Sequence, residues 1–176
     1  MRNIRSFEDH TPQIDQTAFI DDSAVVTGNV VIGEHSSVWP CCSIRGDIHS
    51  IRIGARSNIQ DGSILHVTHD SEYAPGGFKL SVGSDVTVGH NVILHACTVE
   101  DLCLIGMGSV VLDGAVVESG AMVGAGSLVP PNKILQGGYI WLGSPVKKAR
   151  ELTEKEKSFL QYSALQYVKL KNRHAK

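Results

Sequence analysis

Aliphatic residues recur every six positions along most of this chain. They stand at Ile20, Val26, Ile32, Val38 and Ile44, then at Ile53, Ile59 and Leu65 after the break Arg45-Gly46-Asp47. A longer break containing Pro75-Gly76-Gly77 precedes Val82, Val88 and Leu94. One residue is dropped, and the run continues through Val99, Ile105, Val111, Val117, Val123 and Val129. All seventeen positions are apolar, and glycine, an acid or another polar residue usually follows, as in Ile32-Gly33 and Ile105-Gly106. Such a repeat has to be recognised before single strands and helices are assigned. A helix needs apolar spacings of three and four, and each interior glycine costs it about 1 kcal/mol. A hairpin meander needs longer strands than these. A period of six rich in β-branched residues fits a solenoid whose hexapeptides each make one flat side and a corner. Three sides close a triangular coil of about eighteen residues, and successive coils stack as parallel strands about 4.7–4.9 Å apart. The period itself does not set the handedness.

The pattern predicts four segments. Residues 1–18 show no period and read as an N-terminal arm. Residues 19–130 form the mainly β solenoid, with a loop insertion over 67–80. The pattern dissolves at Pro130-Pro131, so residues 131–152 read as an irregular terminal layer. A helix over 153–172 opens with Thr153 and Glu156 three residues on, the spacing of a capping box. Its apolar side is expected to carry Phe159, Leu160, Ala164, Tyr167 and Val168, and to fold back on the solenoid or cover a partner subunit.

Composition narrows the function classes. Eighteen glycines with 6% aromatic residues suit a chain that turns often around a thin aliphatic core. A net charge of −2 offers no electrostatic footprint for nucleic acid or an anionic membrane. The N-terminus is too polar for a secretory h-region, and no apolar run reaches membrane-spanning length. Cys41, Cys42, Cys97 and Cys103 lack a C-x-x-C zinc spacing and the density of a disulfide scaffold, so buried reduced thiols in a cytoplasmic protein are expected.

The repeat decides which histidines meet. Ile44, Leu65 and Leu94 fall on one side in consecutive coils, and the residue after an inward one points outward. Arg45, His66 and His95 therefore stack on that outer face, and the two imidazoles are close enough to share a metal with Zn–N near ~2.0–2.1 Å. His90 belongs to the preceding side, with Gln60 and Asp61 in the neighbouring coil and Asp61 in register with it. Two faces of a prism diverge, so His90 is not expected to reach that metal within its own chain. A three-fold ring brings a neighbour's His90 there through one closing contact, which places the site at a subunit interface. His10, His35 and His174 read as solvated surface histidines, His49 as a neighbour of the site, and His69 as a loop anchor.

At these residues the chain resembles the gamma-class carbonic anhydrases. The resemblance rests on Arg45-x-Asp47, Asn58-x-Gln60-Asp61, His66, and His90 followed by His95, and it extends from about residue 12 to about residue 172. It implies a left-handed hexapeptide β-helix and a homotrimer that takes a small-molecule substrate. It also implies Zn2+, with Fe2+ or Co2+ as alternatives, held by His66 and His95 of one chain and His90 of the next. By the same carry-over Gln60 contacts metal-bound solvent or bicarbonate, Arg45 and Asp61 pair across the interface, Asp47 and Asn58 support the site, and Tyr139 is a wall residue. The expected activity is hydration of carbon dioxide to bicarbonate and a proton, a lyase reaction. The chain departs from the best-studied members in carrying Ile48 where they have a glutamate after the equivalent of Asp47. Its loop over 67–79 is also short, with Asp70 and Glu72 as the only acids, so a slow hydratase is expected. Relatives that are acyl-CoA thioesterases or non-catalytic subunits of larger assemblies make a thioesterase and a metal-stapled scaffold the alternatives.

Overall fold

The computed structural model describes residues 3–175. It is a parallel β-solenoid closed by one C-terminal helix, Glu154–His174. Three ladders of inward apolar residues run along its three sides. One passes Ile44, Leu65, Leu94, Val111 and Val129. The second passes Ile32, Ile53, Val82, Val99, Val117 and Leu135. The third passes Ile20, Val38, Ile59, Val88, Ile105, Val123 and Trp141. The seventeen periodic positions all point inward, and all but Ile20 are at most 3% exposed. Ile20 lies in an early coil and is half-buried against the same core. Parallel stacking explains why the period is so strict: a one-residue slip would turn a buried aliphatic to solvent in every coil.

Both ends of the solenoid extend further than the pattern predicts. Within the expected arm, Ile4–Arg5 and Gln13–Ile14 pair in parallel with the strand Val25–Ile32 and begin an additional coil. At the other end the six-residue period continues through Pro130-Pro131 to Leu135 and Trp141, which are 0% and 6% exposed. Leu128–Val129 is the last rung on its side, so no acceptor waits there for an N–H from residue 130, and proline costs nothing. The chain then finishes in an antiparallel hairpin, Tyr139–Gly143 with Val146–Glu151.

The helix is capped as its sequence predicts. The Thr153 hydroxyl accepts from Glu156 N, and the Glu156 carboxylate accepts from Thr153 N at 2.9 Å. It lies on the side carrying Ser37–Val38 and Thr87–Val88. Thr87 and Ser163 hydroxyls meet at 3.0 Å, Trp39 meets Tyr167 edge-on at 5.6 Å, and Lys171 Nζ donates to Thr17 O. The buried stripe is Leu160, Ser163, Ala164 and Lys171; Phe159, expected inward, lies one residue off that stripe and faces out with Tyr162 and Leu165. Among the described residues no helix is long and apolar enough to cross a membrane.

Candidate metal centre

The outer face of one solenoid side carries the histidine pair. His66 ends the strand Ile64–His66, His95 ends Ile93–His95, and the two stand directly opposite in the ladder. Their ring centroids are 5.2 Å apart, and His66 Nδ1 lies 3.2 Å from His95 Nε2. Each remaining ring nitrogen faces a carboxylate. His95 Nδ1 meets Asp113 Oδ1 at 2.6 Å, and His66 Nε2 meets Asp47 Oδ1 at 3.1 Å.

Those carboxylates decide where the ring protons sit. A carboxylate only accepts, so His95 carries its proton on Nδ1 and His66 on Nε2. Lone pairs are left on His95 Nε2 and His66 Nδ1, and these are the two atoms that face each other. Neutral imidazoles in these tautomers have no proton to share across that gap, whereas a proton or a cation placed there would bridge them. Protonation is disfavoured at His66, because burial lowers its pKa and the nearby Arg45 adds to the effect, against the opposing pull of Asp47. Asp47 is itself held below the usual carboxylate range: burial works against its charge, but hydrogen bonds from Arg45 and His66 outweigh it. Asp113 behaves the same way, with Thr68 and His95 overcoming burial.

A divalent metal fits this pair. Tetrahedral zinc with bonds of about 2.0–2.1 Å separates its ligand nitrogens by about 3.3–3.4 Å, close to the spacing found. Carboxylates hydrogen-bonded to the far ring nitrogens are the usual outer partners of metal-binding histidines.

His90 sits elsewhere, just past the strand Thr87–Val88 on another side. Its Nδ1 meets Asp61 Oδ2 at 2.9 Å, and both side chains are about half exposed. Gly62 makes the turn beneath it with φ +72°, and a Cβ there would lie 2.2 Å from the Asn91 side-chain oxygen. Among the described residues of one chain, no group of three histidine, cysteine or acidic side chains could hold a metal. The chain therefore supplies two convergent nitrogens at one place and a carboxylate-backed third at another.

The other candidates divide between these two places. Arg45 pairs with Asp47 beside His66. Gln60 is buried near Asp61, and its Nε2 donates to Asn58 Oδ1 at 3.0 Å; Asn58 Nδ2 donates in turn to Val86 O and Thr87 Oγ1. That bond fixes the amide's orientation and leaves the Gln60 carbonyl and one N–H to present. Tyr139 joins neither cluster within one chain: its ring lies under Lys148 Nζ at 4.1 Å, and its hydroxyl donates to Glu151.

Of the remaining histidines, His69 is exposed on the loop, His49 accepts from Ser50 N, and His174 stands edge-on to Trp39 at 5.1 Å. Cys42, Cys97 and Cys103 are buried, and burial raises their thiol pKa values, to about 11 for Cys42 and about 12 for Cys103. Cys41, expected buried, is exposed at a corner with φ +59°.

Asp113 is the residue the repeat did not reveal. It lies eighteen positions after His95, and the short corner at Ala96 (φ +49°) brings the next coil's turn beneath that ring.

A parallel solenoid of hexapeptide coils, carrying a paired-histidine face and a separate carboxylate-backed histidine, is the class of protein these features define. No family model matches the chain. Protein YrdA of Escherichia coli is 57% identical, over 97% of this chain and 93% of that protein. A carbonic anhydrase of Geobacillus kaustophilus is 45% identical over 94% of this chain and 87% of its own length. The mitochondrial gamma carbonic anhydrase 1 of Arabidopsis thaliana is 42% identical over 99% of this chain, which spans 63% of that protein. The crystal structure of a hexapeptide transferase family protein from Anaplasma phagocytophilum superposes with a TM-score of 0.90 at 39% identity, covering 98% of each chain. The chain belongs to the gamma carbonic anhydrase family.

Proposed function

We propose that this protein is a metal-dependent hydratase of the gamma carbonic anhydrase type, interconverting carbon dioxide and bicarbonate. The observation that carries the reading is the pair of ring nitrogens, His66 Nδ1 and His95 Nε2, that face each other at 3.2 Å while Asp47 and Asp113 occupy the far nitrogens. In this reading the third ligand is His90 of a neighbouring subunit in a homotrimer. Outward apolar residues beside the pair support a subunit contact there, Ile64 and Ile93 being 45% and 38% exposed.

A divalent ion held by three histidines, zinc foremost and Fe2+ or Co2+ as alternatives, would act as a Lewis acid and make hydroxide available near neutral pH. The chain's own residues do the rest. Asp61 holds His90 with its Nε2 outward. Asn58 fixes the Gln60 amide, so that its carbonyl orients the reacting solvent. Arg45 balances the Asp47 charge and is in place to receive the anionic product. The proton leaves through water to bulk, with His69 as the candidate relay.

A second reading, hydrolysis or transfer of an acyl thioester at the same site, draws support from the transferase-family name of the structural neighbour. One preparation tests both: metal content, carbon dioxide hydration and acyl-CoA hydrolysis. Hydration that tracks metal content supports the first reading, and thioester cleavage without hydration replaces it with the second. A metal-bound trimer inert in both assays leaves a scaffold stapled by its metal.

A further inference from the structure

The loop inserted over 67–80 is not simply a cover. It closes as a small hairpin: Thr68 N donates to Phe78 O at 3.0 Å, and Phe78 N donates to Thr68 O at 2.9 Å. Val67 is buried and anchors its first arm in the core. The Thr68 side chain turns away from the hairpin, and its hydroxyl meets Asp113 Oδ2. Since the carboxylate only accepts, the hydroxyl donates. The other oxygen, Asp113 Oδ1, already takes the proton of His95 Nδ1. The next coil fixes the Asp113 backbone through Asn132 N to Asp113 O at 2.9 Å. The Phe78 ring edge also borders this turn, 3.7 Å from where a side chain on Gly114 would begin.

We propose that Thr68 and Asp113 are positioning residues that tie the hairpin to His95, so that hairpin closure holds the His95 ring and tautomer ready to bind metal. The proposal rests on the metal reading above. With both oxygens engaged, the Asp113 carboxylate has one orientation, and so does the ring it supports. Without the Thr68 donor the carboxylate turns about its last torsion, and His95 can exchange its two ring nitrogens. Loss of such an outer partner typically weakens metal binding by about 10–100-fold.

The test is competition for Zn2+ against a chromophoric chelator, with the absorption spectrum of the Co2+ form as a reading of ligand geometry. T68V should bind zinc about tenfold more weakly and D113A up to about a hundredfold, while T68S, which keeps the donor, stays near the parent. The Co2+ spectrum should broaden in T68V and D113A and recover in T68S. If T68V does not fold, D113N serves: it keeps the side-chain size, loses the charge, and should bind more weakly. Parent protein that holds zinc tightly together with T68V and D113A (or D113N) that hold it equally well overturns the tie and leaves the metal reading intact. Parent protein that takes up no zinc or cobalt overturns both.

Discussion

Consider two variants, His66→Ala and His90→Ala, mixed after unfolding and allowed to reassemble. His66 and His95 are adjacent rungs of one side, whereas His90 is bonded to Asp61 on another. If all three ligands came from one chain, each variant would lack a ligand at every site, and mixing would restore nothing. If the pair comes from one subunit and His90 from its neighbour, a complete site needs a His90→Ala chain beside a His66→Ala chain in the right order. At equal amounts and random assembly each condition holds half the time, so about a quarter of the sites are intact. The restored share follows the product of the two fractions, so a nine-to-one mixture should fall to about a tenth. Zinc is counted after washing with a chelator strong enough to strip two-ligand sites, and light scattering confirms the assembly. Metal in the mixture no higher than the weighted mean of the separate variants, at every ratio, would refute the shared site.

Much of this architecture is legible in the sequence because parallel stacking demands that the same inward position stay apolar in every coil. His66 and His95 were legible for the same reason: each follows an inward leucine, and the leucines are ladder partners. The early strands Ile4–Arg5 and Gln13–Ile14 were not, since two-residue rungs at an open end bury too little to impose a pattern. Leu135 and Trp141 kept the period, but Pro130-Pro131 hid it; what matters is whether a further coil needs that N–H, which topology alone decides. Asp113 was hidden because the ladder sets Leu94 opposite Val111, so counting rungs from His95 stops at Leu112, one residue short of it. Thr68 was hidden because its contribution is a single hydroxyl, which neither the repeat nor the acids of the loop mark out.

Replacing Ile105, 0% exposed between Val88 and Val123, by Asp should cost several kcal/mol in urea unfolding, because a charge would be placed on the solenoid axis. A midpoint near the parent's would mean that Ile105 does not face inward. Thr153→Ala should cost about 1 kcal/mol through the lost cap. Its partner Glu156 is held at about 2 by Arg150 and Thr153, so that contribution is complete above the ordinary carboxylate value and disappears as pH falls towards 2. Glu156→Gln should therefore flatten the acid limb of stability against pH, and an unchanged limb would remove the box from the account. The final expectation concerns proton release. Each hydration cycle yields a proton that must reach bulk through a base titrating near neutrality or through water. Ile48 is exposed and offers no base; Asp70 is tied to Gly76 N; Glu72 and His69 stand in solvent on the loop. None of these is bonded to the histidine pair. Hydration should thus be slow and rise steeply with imidazole-type buffer, because external base replaces the missing relay. His69→Ala should change that dependence modestly if His69 passes the proton on, and leave it unchanged if it only anchors the loop. Rapid hydration indifferent to buffer would show that a relay exists outside these four residues. Zinc-loaded protein silent at every buffer concentration would favour the thioester or scaffold reading, because external base would already have supplied what this chain lacks.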